Sequence, residues 1–167
     1  MRAILIVVLA ILAACAHVVP PAEPAPVADR YAHTPFDTAW HRAIVFFTDA
    51  HVTIQTIDKS SGILASSRFQ LPFAELKDWG DCGTASTGGK TLDRLDKIHN
   101  IPTAFADFNV VMLPTGDSTA VRTSLSISAN ARAMNTVGDV GVMNLPCVSN
   151  GKFERDLFAY ISGHAAG

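Results

Sequence analysis

The chain of 167 residues lacks the features that mark several large functional classes. Its 13 Lys and Arg are outnumbered by 15 Asp and Glu, giving a formal net charge of −2. Because it has no basic stripe, the composition argues against nucleic acid as a partner. No serine lies in a Gly-x-Ser-x-Gly motif, and no nucleophile is paired with a base as a hydrolase requires. We therefore expect a protein that is not an enzyme.

Metal-binding and nucleotide-binding patterns are also missing. The six histidines are scattered. Asp37 and His41 stand four residues apart and are interpreted as a solvated pair on one helix face, since catalytic zinc usually needs three protein ligands. Segment 83–91 resembles a phosphate loop, but Thr84 stands where that loop needs a glycine. The sequence therefore predicts no metal, no nucleotide and no other cofactor.

The apolar run at the start of the chain is too short to span a membrane. Residues 3–14 are twelve apolar residues after Arg2, whereas a membrane-spanning helix needs about 20. The run ends in Leu12-Ala13-Ala14-Cys15, which resembles the lipobox of bacterial lipoproteins. A charged start, a short apolar stretch and small residues before the cut are typical of a secretion signal. This pattern predicts a lipoprotein signal peptide at 1–14 and a lipidated Cys15.

The lipobox resemblance also implies a location. Bacterial lipoproteins carry several acyl chains, with palmitate expected among them, and two or more chains hold a protein stably on a membrane. Residue 16 is Ala and not Asp, which in Gram-negative lipoproteins resembles the pattern sent to the outer membrane. We therefore expect a cell-envelope protein, and in a Gram-negative source an outer-membrane lipoprotein facing the periplasm.

The small number of cysteines restricts their roles. With Cys15 assigned to lipid, only Cys82 and Cys147 are left of the three, 65 residues apart. An even pair in an exported protein favours a disulfide bond. The alternative is two unpaired buried thiols.

Proline density divides the chain into a tether and a domain. Residues 15–35 contain the lipidated cysteine and a proline-rich stretch, which favours extended polyproline conformation over packing. Residues 36–164 remain for a single domain. Removal of 1–14 would leave 153 residues, which is enough for one hydrophobic core.

Hydrophobic periodicity predicts an α+β domain. A helix is expected from residue 36 to about 50, and a second helix after Ser149 or Asn150. Between them, alternation and turn residues indicate a hairpin and two long strands, at 51–57, 63–69, 104–113 and 119–129. We predict an antiparallel sheet of about four strands packed against an N-terminal and a C-terminal helix.

One region resembles a known family. The segments Trp40-His41-Arg42-Ala43-Ile44 and Val52 to Leu64, with the turn Asp58-Lys59-Ser60-Ser61-Gly62, resemble the start of the helix-grip domains found in a lipoprotein component of the outer-membrane β-barrel assembly machinery. Related small proteobacterial lipoproteins are similar. The resemblance covers about 30 residues. It implies a helix-grip-like fold and an envelope role.

These observations lead to one main functional hypothesis and one alternative. The main hypothesis is a lipid-anchored, non-enzymatic interaction module that binds another envelope protein, in outer-membrane assembly or maintenance. The alternative is a periplasmic carrier of a small apolar ligand or lipid in a cavity between helix and sheet. The residues expected to line that cavity are Phe108, Val110, Leu125 and Ile127.

Overall fold

The structure is a computed structural model that describes residues 20–24, 27–83, 102–134 and 140–164. The predicted signal peptide, Cys15 and most of the segment that resembles a phosphate loop lie outside these residues. None of the helices that are described is long and apolar enough to cross a membrane.

The described residues form an α+β fold, as predicted. Its elements in chain order are β1 (Arg30–Ala32), α1 (Phe36–Asp49), β2 (Ile54–Asp58), β3 (Ile63–Ser66), β4 (Phe69–Leu71), α2 (Phe73–Trp79), β5 (Gly80–Asp81), β6 (Thr103–Thr115), β7 (Ser118–Met134), β8 (Val140–Leu145), β9 (Val148–Ser149) and α3 (Lys152–Ile161).

A long hairpin of β6 and β7 is the centre of an antiparallel sheet. Its register is unbroken from Thr103 opposite Asn130 to Thr115 opposite Ser118. Shorter strands pair with the two outer edges of this hairpin. β3 and β4 lie on the β6 edge with β2 outside β3, while β1 and β8 lie on the β7 edge. The sheet therefore has seven strands.

The predicted number of strands in the sheet, about four, was too small. The additional strands are β1, β4 and β8. β1 and β4 have three residues each, which is too short for alternation to be recognised. β8 is interrupted by Gly141 and Asn144, two residue types that are depleted in strands. These strands form because the long edges of β6 and β7 offer backbone partners, a tertiary effect that local periodicity does not report.

The hairpin of β2 and β3 is formed as predicted, and its turn is specified by side chains. Asp58 accepts hydrogen bonds from the hydroxyls of Ser60 at 2.6 Å and Ser61 at 2.7 Å. These bonds lower the pKa of Asp58 to about 2. Gly62 has φ +70°, and a Cβ there would lie 1.9 Å from the carbonyl oxygen of Met112. Only glycine fits this backbone position without a shift.

The helices pack on one face of the sheet, and aromatic rings meet over its central strands. The ring of Phe47 in α1 stacks on Phe108 of β6 with 3.8 Å between centroids. Phe153 of α3 lies 6.1 Å from both rings. Phe108 and Val110 have no exposed surface. Three aromatic rings therefore fill the layer between the helices and the central strands.

The predicted disulfide is confirmed. Cys82 and Cys147 are bonded, with 2.03 Å between the sulfur atoms. They flank a second, two-stranded sheet in which β5 pairs with β9. Lys152 at the start of α3 lies 3.0 Å from Asp78 in α2. The disulfide and this ion pair hold the last helix beside the middle of the chain.

The C-terminal part of the predicted tether belongs to the domain. Arg30, Tyr31 and Ala32 form β1 and pair with residues 119–121 of β7. Ala32 is 1 % exposed and lies in the core. This three-residue strand lies within the segment 15–35 that proline density predicts to be a tether.

Candidate functional site

The outer edge of β7 has an opening. β1 pairs with residues 119–121, and β8 pairs with residues 129–134. Residues 122–128 have no partner strand on that edge among the described strands. β6 occupies the opposite edge of β7 from Ser118 to Asn130, so β1 and β8 lie along the same outer edge with a gap between them.

A cavity of about 340 Å³ occupies this gap, and we call it the edge cavity. One wall is β7, one is the described segment before β1 with Arg30, and one is formed by Cys147, β9 and one side of α3. The lining residues are Pro24, Val27, Ala28, Arg30, Val121, Thr123, Ser124, Leu125, Ser126, Ile127, Cys147, Val148, Ser149, Gly151, Glu154 and Phe158. Its volume is in the range of pockets that bind ligands, roughly 300 to 1,000 Å³.

The cavity meets β7 at its edge and not at one of its faces. Residues 123–127 all line it, although side chains alternate between the two faces of a strand. Leu125 and Ile127 are 8 % and 9 % exposed and face the helices. Ser124 and Ser126 belong to the opposite face. Both sets can border one cavity only where the backbone itself forms the wall.

The hydrogen bonds of β6 show which backbone groups point into the cavity. The N–H of Phe108 donates to Ser66 Oγ at 3.0 Å, and the N–H of Met112 donates to the carbonyl of Gly62 at 2.8 Å. Even-numbered residues of β6 therefore direct their backbone groups away from β7. Leu125 lies opposite Phe108 in an unbroken register, so its own N–H and C=O point away from β6.

The other odd-numbered residues of β7 in the gap between β1 and β8 have the same backbone orientation as Leu125. Thr123, Leu125 and Ile127 direct their N–H and C=O groups toward the edge cavity. No backbone hydrogen bond from the described loops reaches these three residues. The cavity therefore presents a row of backbone donors and acceptors beside two buried aliphatic side chains.

The described residues before β1 border the cavity and are held by hydrogen bonds at two points. We call residues 20–24 and 27–29 the strap. The Asp29 carboxylate receives hydrogen bonds from Arg122 at 2.8 and 3.1 Å, and this bonding raises the pKa of Arg122. The N–H of Ala22 donates to Asp81 Oδ2 at 2.8 Å. Asp81 also accepts the N–H of Gly83 at 2.8 Å.

The third wall carries one acidic group and one aromatic ring. Glu154 Oε2 accepts a hydrogen bond from the Ser149 hydroxyl at 2.8 Å. The guanidinium of Arg30 lies 5.6 Å from the centroid of the Phe158 ring. Cys147 borders the cavity, so the disulfide supports this wall.

The structure separates the four residues that the sequence grouped as a cavity lining. Leu125 and Ile127 line the edge cavity, whereas Phe108 and Val110 are buried in the filled core. The sequence placed all four on one sheet face, which is correct. The ring of Phe47 stacks on Phe108, whereas Leu125 and Ile127 border the cavity at the edge of β7. Cys15 lies outside the described residues.

Asp37, which the sequence places four residues before His41, contacts a lysine. Asp37 forms an ion pair with Lys59 at 2.9 Å. No group of three His, Cys, Asp or Glu side chains able to hold a metal occurs within the described part of the chain. Sequence reasoning missed Thr123 and the strap as parts of a site. The proline run was the only signal for the strap, and it was interpreted as a spacer.

Comparison with known proteins does not assign a family. No protein-family model matches this chain, and no curated protein matches it.

Proposed function

We propose that this chain is a lipid-anchored cell-envelope protein that acts as a non-enzymatic interaction module. In this proposal Cys15 carries the lipid, and the α+β domain supplies a binding surface for another envelope protein. The packing of α1 and α3 on one sheet face is compatible with the helix-grip-like fold that the resemblance implies. Outer-membrane assembly or maintenance is the process we propose for it.

The observation that supports an interaction module over a carrier is the filled layer between helices and sheet. The rings of Phe47 and Phe108 stack at 3.8 Å where a carrier of the expected kind would hold its ligand. The cavity that borders Leu125 and Ile127 lies at the edge of β7. An edge that exposes backbone groups is suited to contact with another polypeptide.

A carrier remains the second candidate because of one observation. The edge cavity has about 340 Å³ and includes the side chains of Leu125 and Ile127. In this alternative a small apolar ligand would lie there and not under the helices. Native mass spectrometry of the domain released from envelopes would show a bound lipid in that case.

The anchor is tested by labelling cells that express the full chain with an alkyne analogue of palmitate. We expect label on the wild-type protein and its recovery in the membrane fraction. The Cys15→Ala variant should lose both. The matched control is the double variant Cys82→Ala and Cys147→Ala, which keeps Cys15 and should be labelled. Label on Cys15→Ala, or none on the wild type, would refute the anchor.

The interaction is tested by chemical cross-linking in intact envelopes followed by purification of the full chain. An interaction module should give the same cross-linked partner in independent preparations. Val142→Lys, at a side chain that is 76 % exposed and does not line the edge cavity, serves as a surface control. Recovery of the chain alone in every preparation would contradict the proposal.

A further inference from the structure

We propose that the open edge of β7 binds an extended peptide segment of a partner protein by strand addition. This inference rests on the proposed interaction function and names its binding surface. The occupant is a peptide because the site offers what a peptide backbone needs. Thr123, Leu125 and Ile127 present alternating N–H and C=O groups along one strand edge whose register with β6 is unbroken.

The flanking strands define the orientation of the peptide. β8 ends opposite Ala129 and β1 begins opposite Val121, and both run antiparallel to β7. A peptide antiparallel to β7 would lie in line with them and close the gap in the edge. In strand addition, main-chain hydrogen bonds supply affinity and pockets for alternate side chains supply specificity.

The faces of β7 define which peptide side chains fit. Peptide residues opposite Leu125 and Ile127 would direct their side chains to the helix side, beside Phe158 and Val148. Peptide residues opposite Ser124 and Ser126 would face the polar side of the sheet. The expected peptide therefore alternates apolar and polar residues over about five positions, with apolar residues toward the helices.

This edge differs from the outer edge of β2, which is one of several strands with no partner on one side among the described strands. The register of β2 with β3 is irregular between Ile54 and Thr56. Such irregularity is one way in which proteins prevent unwanted edge pairing. The β7 opening has an unbroken register and an adjoining cavity, so it can receive both a backbone and side chains.

The experiment selects peptides from a phage-displayed library of random seven-residue sequences on the purified full-length chain. Selected peptides are synthesised, and their binding is measured by fluorescence anisotropy.

Hydrogen exchange followed by NMR then locates the site at which the peptide binds. We expect the amides of Thr123, Leu125 and Ile127 to exchange rapidly in the free protein. Those of Ser124 and Ser126, which pair with β6, should exchange slowly. Bound peptide should protect the first set.

Two variants test the contact from opposite walls. Thr123→Pro removes an outward N–H without removing a bond to β6, and we expect binding to weaken by about tenfold or more. Thr123→Val keeps the N–H and should bind as the wild type does. Ala28→Trp fills the cavity from the strap and leaves β7 intact, so it should also block binding. Val142→Trp lies away from the cavity and is its control.

Several results would overturn this inference. Failure to select any peptide, protection of amides on β2 instead, or full binding by both Thr123→Pro and Ala28→Trp would each do so. Protection of all three β7 amides in the free protein would show that the strap already pairs there. Lipid bound in the cavity, with no effect of peptide on it, would favour the carrier.

The test also separates this inference from the proposed function. A cross-linked envelope partner whose recovery is unchanged in Thr123→Pro and Ala28→Trp would preserve the interaction module and refute the β7 edge as its surface. Peptide binding at β7 without any envelope partner would leave the edge site and refute the cellular role.

Discussion

Removal of the disulfide should lower stability by a predictable amount. The bond between Cys82 and Cys147 closes a loop with a sequence separation of 65 residues. In the chain-entropy model, a loop of this size stabilises the folded state by about 4 kcal/mol. For a domain of this size, each kcal/mol shifts the Tm by roughly 2 to 4 °C. The double variant Cys82→Ala and Cys147→Ala should therefore unfold roughly 8 to 16 °C below the wild type.

The assay is differential scanning calorimetry of both proteins with and without a reducing agent. The wild type, once reduced, should unfold near the temperature of the double variant, and the double variant should not respond to reductant. Alkylation of the unreduced wild type followed by peptide mass spectrometry should find Cys82 unmodified. Equal Tm values for the oxidised wild type and the double variant would refute the reasoning, because the loop constraint would then contribute nothing.

Three further predictions concern the sheet and its turns. Phe108→Ala should cost about 3 to 5 kcal/mol in urea unfolding, since the ring is fully buried, whereas Val142→Ala at an exposed position should be near neutral. Gly62→Ala should destabilise more than Gly116→Ala, because both have positive φ but only Gly62 lacks room for a Cβ. The carboxyl of Asp58, with its pKa lowered to about 2, should titrate near that pH by NMR. Its stabilising effect is present above its ordinary pKa of 3.8 and is lost as the pH falls through 2, so a midpoint near 3.8 in the folded protein would contradict the turn geometry.

Elements with strong periodicity could be predicted from the sequence. Helix α1 begins at Phe36, the residue expected from its apolar stripe. The long strands β6 and β7 contain the predicted segments and extend beyond them at both ends. The disulfide followed from cysteine number and the expected compartment. These features could be predicted because hydrophobic periodicity, turn residues and the number of cysteines can be read from the sequence without knowledge of tertiary contacts.

Elements that depend on a partner could not be predicted in this way. β1 consists of Arg30, Tyr31 and Ala32, which have no pattern of their own and become a strand by pairing with β7. The same holds for the filled core. Alternation placed Phe108 and Leu125 on one face, but it could not report that Phe108 stacks on Phe47 while Leu125 borders the edge cavity. Which residues of the sheet contact Phe47 depends on the position of α1 across the sheet, and this is a tertiary property.

The candidate site belongs to a class of feature that periodicity does not describe. A period of two assigns each side chain of a strand to a face, whereas the edge consists of backbone groups that every residue possesses. Whether those groups are paired depends on where neighbouring strands end. On the outer edge of β7, the paired residues nearest the gap are Val121 opposite β1 and Ala129 opposite β8. The outward direction of the backbone groups of Thr123, Leu125 and Ile127 then follows from strand parity. Substitutions that preserve side-chain alternation should therefore weaken peptide binding at this edge when they remove an outward N–H, as Thr123→Pro does, while those that alter only the polar face should leave it intact.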